Sequence, residues 1–169
     1  MKTIKYRELS RDAFAVYGSY AHMVNPAVEK IGAEPIEFFR DMVQSSLGTD
    51  TRGSFGVCRV SKRPYIIDVS EYHDTCAEAM MPLDGDVLVH VAPAVPGAIF
   101  PFDKVEVFLV PRGTLFCMNA GVWHHGPYTL GTDVVNCLVM IPERLYARDC
   151  KVYEFSDDER IKIEVGSQS

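Results

Sequence analysis

Residues 71–92, EYHDTCAEAMMPLDGDVLVHVA, decide the fold of this chain. The stretch begins with ionisable side chains, turns at the Leu-Asp-Gly of residues 83–85 and ends in a valine-rich run at 86–92. A β-branched, apolar run of this length that follows a turn predicts a strand. Glu71 and His73 are two positions apart, and on a strand their side chains face the same side.

The same β pattern continues along the chain. Further strands are predicted at residues 55–60, 65–69, 105–110, 115–118 and 134–141, with two short segments between 150 and 165. Short β-branched and aromatic runs separated by Pro, Gly and Asp are typical of a sandwich or small barrel. Two short N-terminal helices are expected, at residues 10–14 and 35–47. We therefore predict a single all-β domain over residues 1–169, with residues 166–169 frayed.

The composition argues against several classes of function. The chain has 23 acidic and 17 basic residues, and it lacks a basic stripe that could neutralise nucleic-acid phosphates. No run approaches the roughly 18 apolar residues that cross a bilayer, and the charged N-terminus is unlike a signal peptide. The five cysteines form no CxxC pair, as expected of reduced, buried thiols. We expect a cytoplasmic protein that binds neither nucleic acid nor membrane.

Two groups of residues have the spacing of the two cupin motifs. The first comprises Glu71, His73, Glu78 and Gly85, and the second comprises Gly113, Asn119, Gly121 and His124. In the cupin superfamily, which the chain resembles here, the first motif supplies two His and one Glu and the second a further His. All four point into a double-stranded β-helix, or jelly-roll, barrel. The resemblance implies that fold, with a ligand set of Glu71, His73, Glu78 and His124.

The residue types agree with a metal site. His124 must come from a different strand than His73, because a barrel brings distant segments together around one cavity. Two imidazoles and two carboxylates suit Mn, Fe, Ni or Zn and leave open positions for a substrate. The alternative is a metal-free site in which the same histidines act as acids and bases.

A closer resemblance covers most of residues 8–155, although residues 22–52 match poorly. It is carried by AFAVYG at 13–18, by residues 71–85, by GVWHH at 121–125, and by TD at 132–133 with DCKV at 149–152. In these stretches the chain resembles the ureidoglycolate lyase family, which is itself cupin-like. The Val-Trp-His-His signature is the most specific of the four.

This resemblance implies an activity. Members of the family cleave ureidoglycolate to glyoxylate and urea, a step of allantoin degradation in purine metabolism, and are commonly homodimers. We therefore expect a homodimeric carbon–nitrogen lyase that acts on a small α-hydroxy acid. In much of the family a Gln stands in place of Glu78, and a Pro often stands in place of Gly126. A carboxylate at position 78 favours metal binding, so the chain is expected to be a metal-using relative.

Such a site suggests a role for each side chain. A metal held by His73, Glu78 and His124 would bind the substrate carboxylate and hydroxyl and lower the hydroxyl pKa. Glu71 is either a fourth ligand or the general base.

Three further residues are candidates for contacts with the substrate. His125 is a candidate proton donor to the leaving nitrogen, since imidazole titrates near neutral pH, although strand alternation turns it away from His124. Arg59 is a candidate clamp for the substrate carboxylate. His90 either lines the cavity or packs in the core.

Two other functions use the same ligands. One is a metal-dependent cupin isomerase, epimerase or oxygenase acting on another small acid or sugar. The other is a non-catalytic cupin that binds a small ligand.

Overall fold

The valine-rich run at residues 86–92 forms the strand predicted for it, in the larger of two sheets that enclose a barrel. The computed structural model describes residues 1–166. Residues 167–169 of the segment predicted to be frayed lie outside the described residues. The strands are β1 (Lys2–Lys5), β2 (Arg7–Glu8), β3 (Gly18–His22), β4 (Ile31–Ala33), β5 (Ile36–Phe38), β6 (Gly53–Ser61), β7 (Ile66–Ile67), β8 (Val69–Tyr72), β9 (Glu78–Pro82), β10 (Asp86–Ala92), β11 (Glu106–Val110), β12 (Thr114–Met118), β13 (Trp123–His124), β14 (Tyr128–Leu130), β15 (Val134–Pro142), β16 (Lys151–Glu154) and β17 (Ile161–Glu164). The helical elements are α1 (Arg11–Phe14) and three 3-10 turns at Pro96–Ala98, Phe102–Lys104 and Leu145–Ala147.

Two sheets make the barrel. The larger has the order β16-β8-β13-β10-β11-β2, with β14 also paired to β10, and the facing sheet has the order β3-β12-β9-β15-β6. A small sheet, β1-β17-β7, and a hairpin, β4-β5, complete the described strands. The chain therefore crosses between the two main sheets from β8 to β9, which is the stretch that carries the first cupin-like motif.

The larger sheet is buried on both faces. Val89 of β10 belongs to the barrel core, where it joins Phe116 of the facing sheet. Leu88, on the opposite face of the same strand, belongs to a second core that also contains Ile161 of β17. A strand buried on both faces favours apolar residues at every position, which explains the near-continuous run of valines and leucine at residues 86–92.

The strand predictions are confirmed, with a break at Asp68 that divides 65–69 between β7 and β8. The helix predicted at 10–14 is also present, and the Ser10 side chain caps it by accepting from the Ala13 backbone N–H. No helix within residues 1–166 is long and apolar enough to span a membrane.

The helix predicted at residues 35–47 is wrong. Its first residues form β5, which pairs with β4, and Asp41 has a left-handed φ of 56° that no α-helix accommodates. The apolar spacing has another cause, because Val43 packs against the facing sheet beside Ala79. The Ala77 N–H donates to the Ser46 carbonyl at 2.8 Å, so tertiary contacts hold this segment in an irregular path.

Candidate metal centre

Glu71 and His124 are directly opposite each other on neighbouring strands, β8 and β13. Opposed residues have their side chains on the same face of a sheet, with Cβ atoms about 5 Å apart. His73 follows the end of β8, and Glu78 begins β9 in the facing sheet. The Glu78 carboxylate therefore approaches the two histidines across the barrel interior.

Backbone carbonyls hold both histidine rings through Nδ1. His73 Nδ1 is 2.6 Å from the Asp149 carbonyl oxygen, and His124 Nδ1 is 2.9 Å from the Val122 carbonyl oxygen. A carbonyl oxygen only accepts, so each Nδ1 carries a proton and donates it. In a neutral ring Nε2 then presents a lone pair, which is the state of a histidine that binds metal.

Both Nε2 atoms converge on the buried Glu78 carboxylate. Oε2 of Glu78 is 3.1 Å from Nε2 of His73 and 3.4 Å from Nε2 of His124. Ligand atoms of Glu71, His73 and His124 also lie within 4.8 Å of one another. Lone pairs that face a carboxylate repel it, so the arrangement requires a positive charge, either a proton or a metal ion. Two imidazoles with carboxylates are a donor set that fits a divalent transition metal.

The ionisation of Glu78 agrees with this requirement. Burial would raise the pKa of Glu78, but the hydrogen bonds and charges of His124 and His73 outweigh it and lower the pKa to about 2. Burial acts in the opposite sense on His124, and the Glu78 carboxylate overcomes it and raises the pKa of that imidazole. Glu78 is therefore an anion at neutral pH, and the centre attracts cations.

Asp149 fixes the segment that carries His73. Its carboxylate accepts from the Asp74 N–H at 3.0 Å, from the Thr75 N–H at 2.8 Å and from Lys151 Nζ at 3.1 Å. Burial opposes ionisation, but these donors and the Thr75 hydroxyl hold the pKa of Asp149 well below its usual range. Because the Asp149 carbonyl also accepts from His73, this residue orients a metal-ligand candidate without touching the ion.

His90 lies outside the barrel cavity. It shares the outer face of β10 with Leu88 and packs in the second core, where it is fully buried. Its Nε2 is 3.1 Å from Ser70 Oγ, and the Ser70 hydroxyl donates to the carbonyl of His124. Of the two predicted positions for His90, the structure has the one in the core.

His125 also lies on the outer face. It follows His124 on β13, and the alternation that places Trp123 in the second core directs His125 to the same side. Burial lowers the pKa of His125; the Glu71 carboxylate opposes this effect, and the positive charge of Arg63 adds to it. The structure therefore does not bring His125 to the centre, and proton donation to a substrate there has no geometric support.

Arg59 is on the outer face of β6. It shares that face with Phe55 and Val57, which are 73% and 62% exposed, whereas Cys58 and Val60 are directed inward. The structure does not bring the Arg59 guanidinium to the predicted carboxylate-binding position.

Three residues that no motif predicted border the centre. The Tyr146 ring packs edge-on against His73, with ring centroids 5.6 Å apart. The Cys150 thiol donates to Glu71 Oε2 at 3.1 Å. Burial and the Glu78 carboxylate raise the pKa of Cys58, which lines a cleft of about 170 Å³ together with Tyr146. Only the match at residues 149–152 gave a signal for one of them.

A larger surface cleft lies elsewhere. It has a volume of about 870 Å³, is bordered by Lys62, Tyr65 and Lys162, and contains none of the predicted site residues. The small cleft at Tyr146 is the one that adjoins the histidines and glutamates, so chemistry rather than size designates the site.

Comparison with known proteins identifies the family. The model of the ureidoglycolate lyase family matches residues 1–164. This chain belongs to the ureidoglycolate lyase family. The family assigns it to the lyases, in agreement with the class expected from the sequence. A search of curated proteins found no significant match.

Comparison with one solved structure, the first of the three that follow, confirms the predicted cupin barrel. A dTDP sugar isomerase from Desulfovibrio desulfuricans G20 is similar with a TM-score of 0.54 and 14% identity, over 83% of this chain and 86% of that one. RmlC from Streptococcus suis has a TM-score of 0.39 and 15% identity, over 58% and 50%. Bacillus subtilis oxalate decarboxylase, with Mn(II) centres, has a TM-score of 0.42 and 12% identity, over 61% of this chain and 24% of its own. The chain thus spans about a quarter of the decarboxylase.

Proposed function

We propose that this family member is a metal-assisted ureidoglycolate lyase, which cleaves ureidoglycolate to glyoxylate and urea during allantoin degradation. One observation carries the proposal: two imidazole Nε2 atoms and carboxylates from both sheets converge in the barrel interior. Such a donor set suits a divalent ion and leaves positions for a small chelating acid.

The ion, which we take to be Mn, Fe, Ni or Zn, would be held by His73, Glu78 and His124. Bound there, it supplies a Lewis acid for the substrate carboxylate and hydroxyl. The carbonyls of Asp149 and Val122 orient the two rings in advance, so little conformational freedom remains to be lost on binding.

The reaction moves one proton from the carbinol oxygen to the leaving nitrogen. The O–H electrons form the C=O bond of glyoxylate, and the electron pair of the broken C–N bond leaves with urea. Glu71 is only partly buried, and its carboxylate accepts the hydroxyl proton and returns it to the nitrogen. The Cys150 thiol, 3.1 Å away, holds that carboxylate in place.

The size of the cleft favours this reaction over a sugar-nucleotide isomerase or epimerase. Its volume of about 170 Å³ is well below the roughly 300–1,000 Å³ of pockets for drug-sized ligands. A small acid of the size of ureidoglycolate is the better match. An oxygenase or a non-catalytic binder would use the same side chains, and product analysis separates them.

The experiment is elemental metal analysis of untagged protein, together with an assay for glyoxylate release from ureidoglycolate, on the parent, Glu78→Gln and His124→Ala. We expect near-stoichiometric transition metal in the parent, loss of it in both variants, and glyoxylate release that follows the metal content. A metal-free parent that resists reconstitution would contradict the metal-assisted mechanism. Oxygen consumption or isomer formation without glyoxylate would favour the second class of enzyme.

A further inference from the structure

A narrow cleft adjoins the metal centre through Tyr146, whose ring contacts His73. Gly56 and Cys58 of β6 border it on one side, Val139 and Ile141 of β15 border it on another, and Tyr146 completes it. Gly56 and Cys58 belong to the inward face of β6, and Ser54 and Val57 also line the cleft, which lies at the end strand of this sheet.

Two of these residues connect the cleft to the ligand cluster. The Tyr146 ring contacts His73 edge-on. The charges of Glu78 and Glu71 add to burial in raising the pKa of the Cys58 thiol. A molecule in the cleft therefore has apolar walls on one side and the ionisable cluster at its inner end.

The Tyr146 hydroxyl is a free hydrogen-bond donor at this position. A phenol has an ordinary pKa of about 10, so the hydroxyl keeps its proton at neutral pH. Within residues 1–166 no side chain or carbonyl is hydrogen-bonded to it. Tyr146 is 56% exposed, and its ring is held against His73.

We propose that this cleft is the entrance for a small hydroxy or oxo acid, and that the Tyr146 hydroxyl donates a hydrogen bond to that acid when it reaches the centre. The inference rests on the proposed function for the class of ligand. It adds a specificity determinant, because the cleft admits only molecules of few atoms. It also adds a neutral donor beside the carboxylates, imidazoles and thiols of the site.

Gly56 offers a sharp test of the entrance. A Cβ built at Gly56 meets no atom within 4 Å. The valine side chain of Gly56→Val therefore fills part of the cleft without a clash at its Cβ. Ser61→Val is the matched control, since it places the same side chain on the opposite, exposed face of the same strand. Tyr146→Phe removes only the hydroxyl and keeps the ring against His73.

The measurements are calorimetric titration with glycolate, kcat and KM for ureidoglycolate, metal content and melting temperature. We expect glycolate affinity and kcat/KM to fall about tenfold or more in Gly56→Val and in Tyr146→Phe, with the change chiefly in KM. Metal content and melting temperature should match those of the parent, and Ser61→Val should equal the parent throughout.

Two outcomes separate this inference from the proposed function. Glycolate binding and KM that equal those of the parent in both Gly56→Val and Tyr146→Phe would overturn the inference, even if ureidoglycolate is cleaved. A parent that binds glycolate but releases no glyoxylate, with weaker binding in both variants, would support the cleft and contradict the lyase.

Discussion

Two pairs of histidines lie on opposite faces of one sheet, and only one pair is arranged for metal chemistry. On the inner face, His73 and His124 donate from Nδ1 to backbone carbonyls and direct Nε2 toward Glu78. On the outer face, the Nδ1 atoms of His90 and His125 have no hydrogen-bond partner within residues 1–166.

The electrostatic surroundings of the two pairs also differ. Glu78 outweighs burial and raises the pKa of His124. Burial, followed by the nearby imidazoles and Arg63, lowers the pKa of His90. The groups that orient and charge an imidazole, more than its burial, therefore decide whether it is suited to bind a metal.

The largest effect should come from replacing a histidine of the inner face, with a histidine of the outer face as the control. His124→Ala removes an Nε2 atom that could coordinate the metal. Metal affinity should weaken by more than the roughly 10–100-fold that is typical of losing a supporting residue. His125→Ala is the matched control on the neighbouring position of the outer face, and its metal content should equal that of the parent. Metal titration against a competing chelator measures both. Loss of metal in His125→Ala would break the distinction between the faces.

An intermediate effect is expected at Asp149, which supports the inner pair. Asp149→Asn replaces one acceptor oxygen by an NH₂ group that faces N–H donors, and it removes the charge paired with Lys151. We expect metal affinity to fall about 10-fold to 100-fold and the free energy of unfolding to fall by about 1–3 kcal/mol. Asp157→Asn, in an exposed ion pair with Arg160, should change the unfolding free energy by less than about 1 kcal/mol.

The stability difference at Asp149 should depend on pH. The folded-state pKa is lowered, so the stabilisation is present above the unfolded value of about 3.9 and is lost as the pH falls toward the folded value. Urea unfolding should therefore show a constant difference in the free energy of unfolding between the parent and Asp149→Asn from about pH 5 upward, which is about one pH unit above the unfolded value. The difference should narrow in stronger acid. A gap that widens in acid would contradict this assignment.

The smallest effect is expected on the outer face, at His90. Its folded-state pKa is lowered well below the usual value, first by burial, so the unfolded chain takes up a proton near pH 6.5 that the folded chain refuses. The parent therefore loses stability as the pH falls below that value. His90→Leu removes this proton uptake. Between neutral pH and about pH 5 the variant should therefore lose about 1–2 kcal/mol less unfolding free energy than the parent. Unfolding curves with the same acid dependence in both proteins would show that His90 is not a buried neutral imidazole.

The β class and the approximate strands were predictable because they depend on local pattern. Valine-rich runs and turn residues recur along the chain whatever the phase of each strand, and the structure has strands at those positions. The grouping of His73, Glu78 and His124 was also predictable, since motif spacing reflects the strand and turn lengths that bring these residues together. The irregular path of residues 35–47 was not predictable, because Val43 packs against the facing sheet and the segment follows that contact.

The face that each side chain occupies was decided by tertiary structure. In β6 both phases carry apolar residues, and the phase of Phe55 and Val57 is the exposed one, so Arg59 points outward. Tyr146, Cys58 and Asp149 adjoin the centre through loops and strands distant in sequence. The sequence by itself determined the fold class and the ligand types, which follow from local spacing. Only the tertiary structure decided which face His90, His125 and Arg59 occupy, because a strand has two faces and long-range packing selects between them.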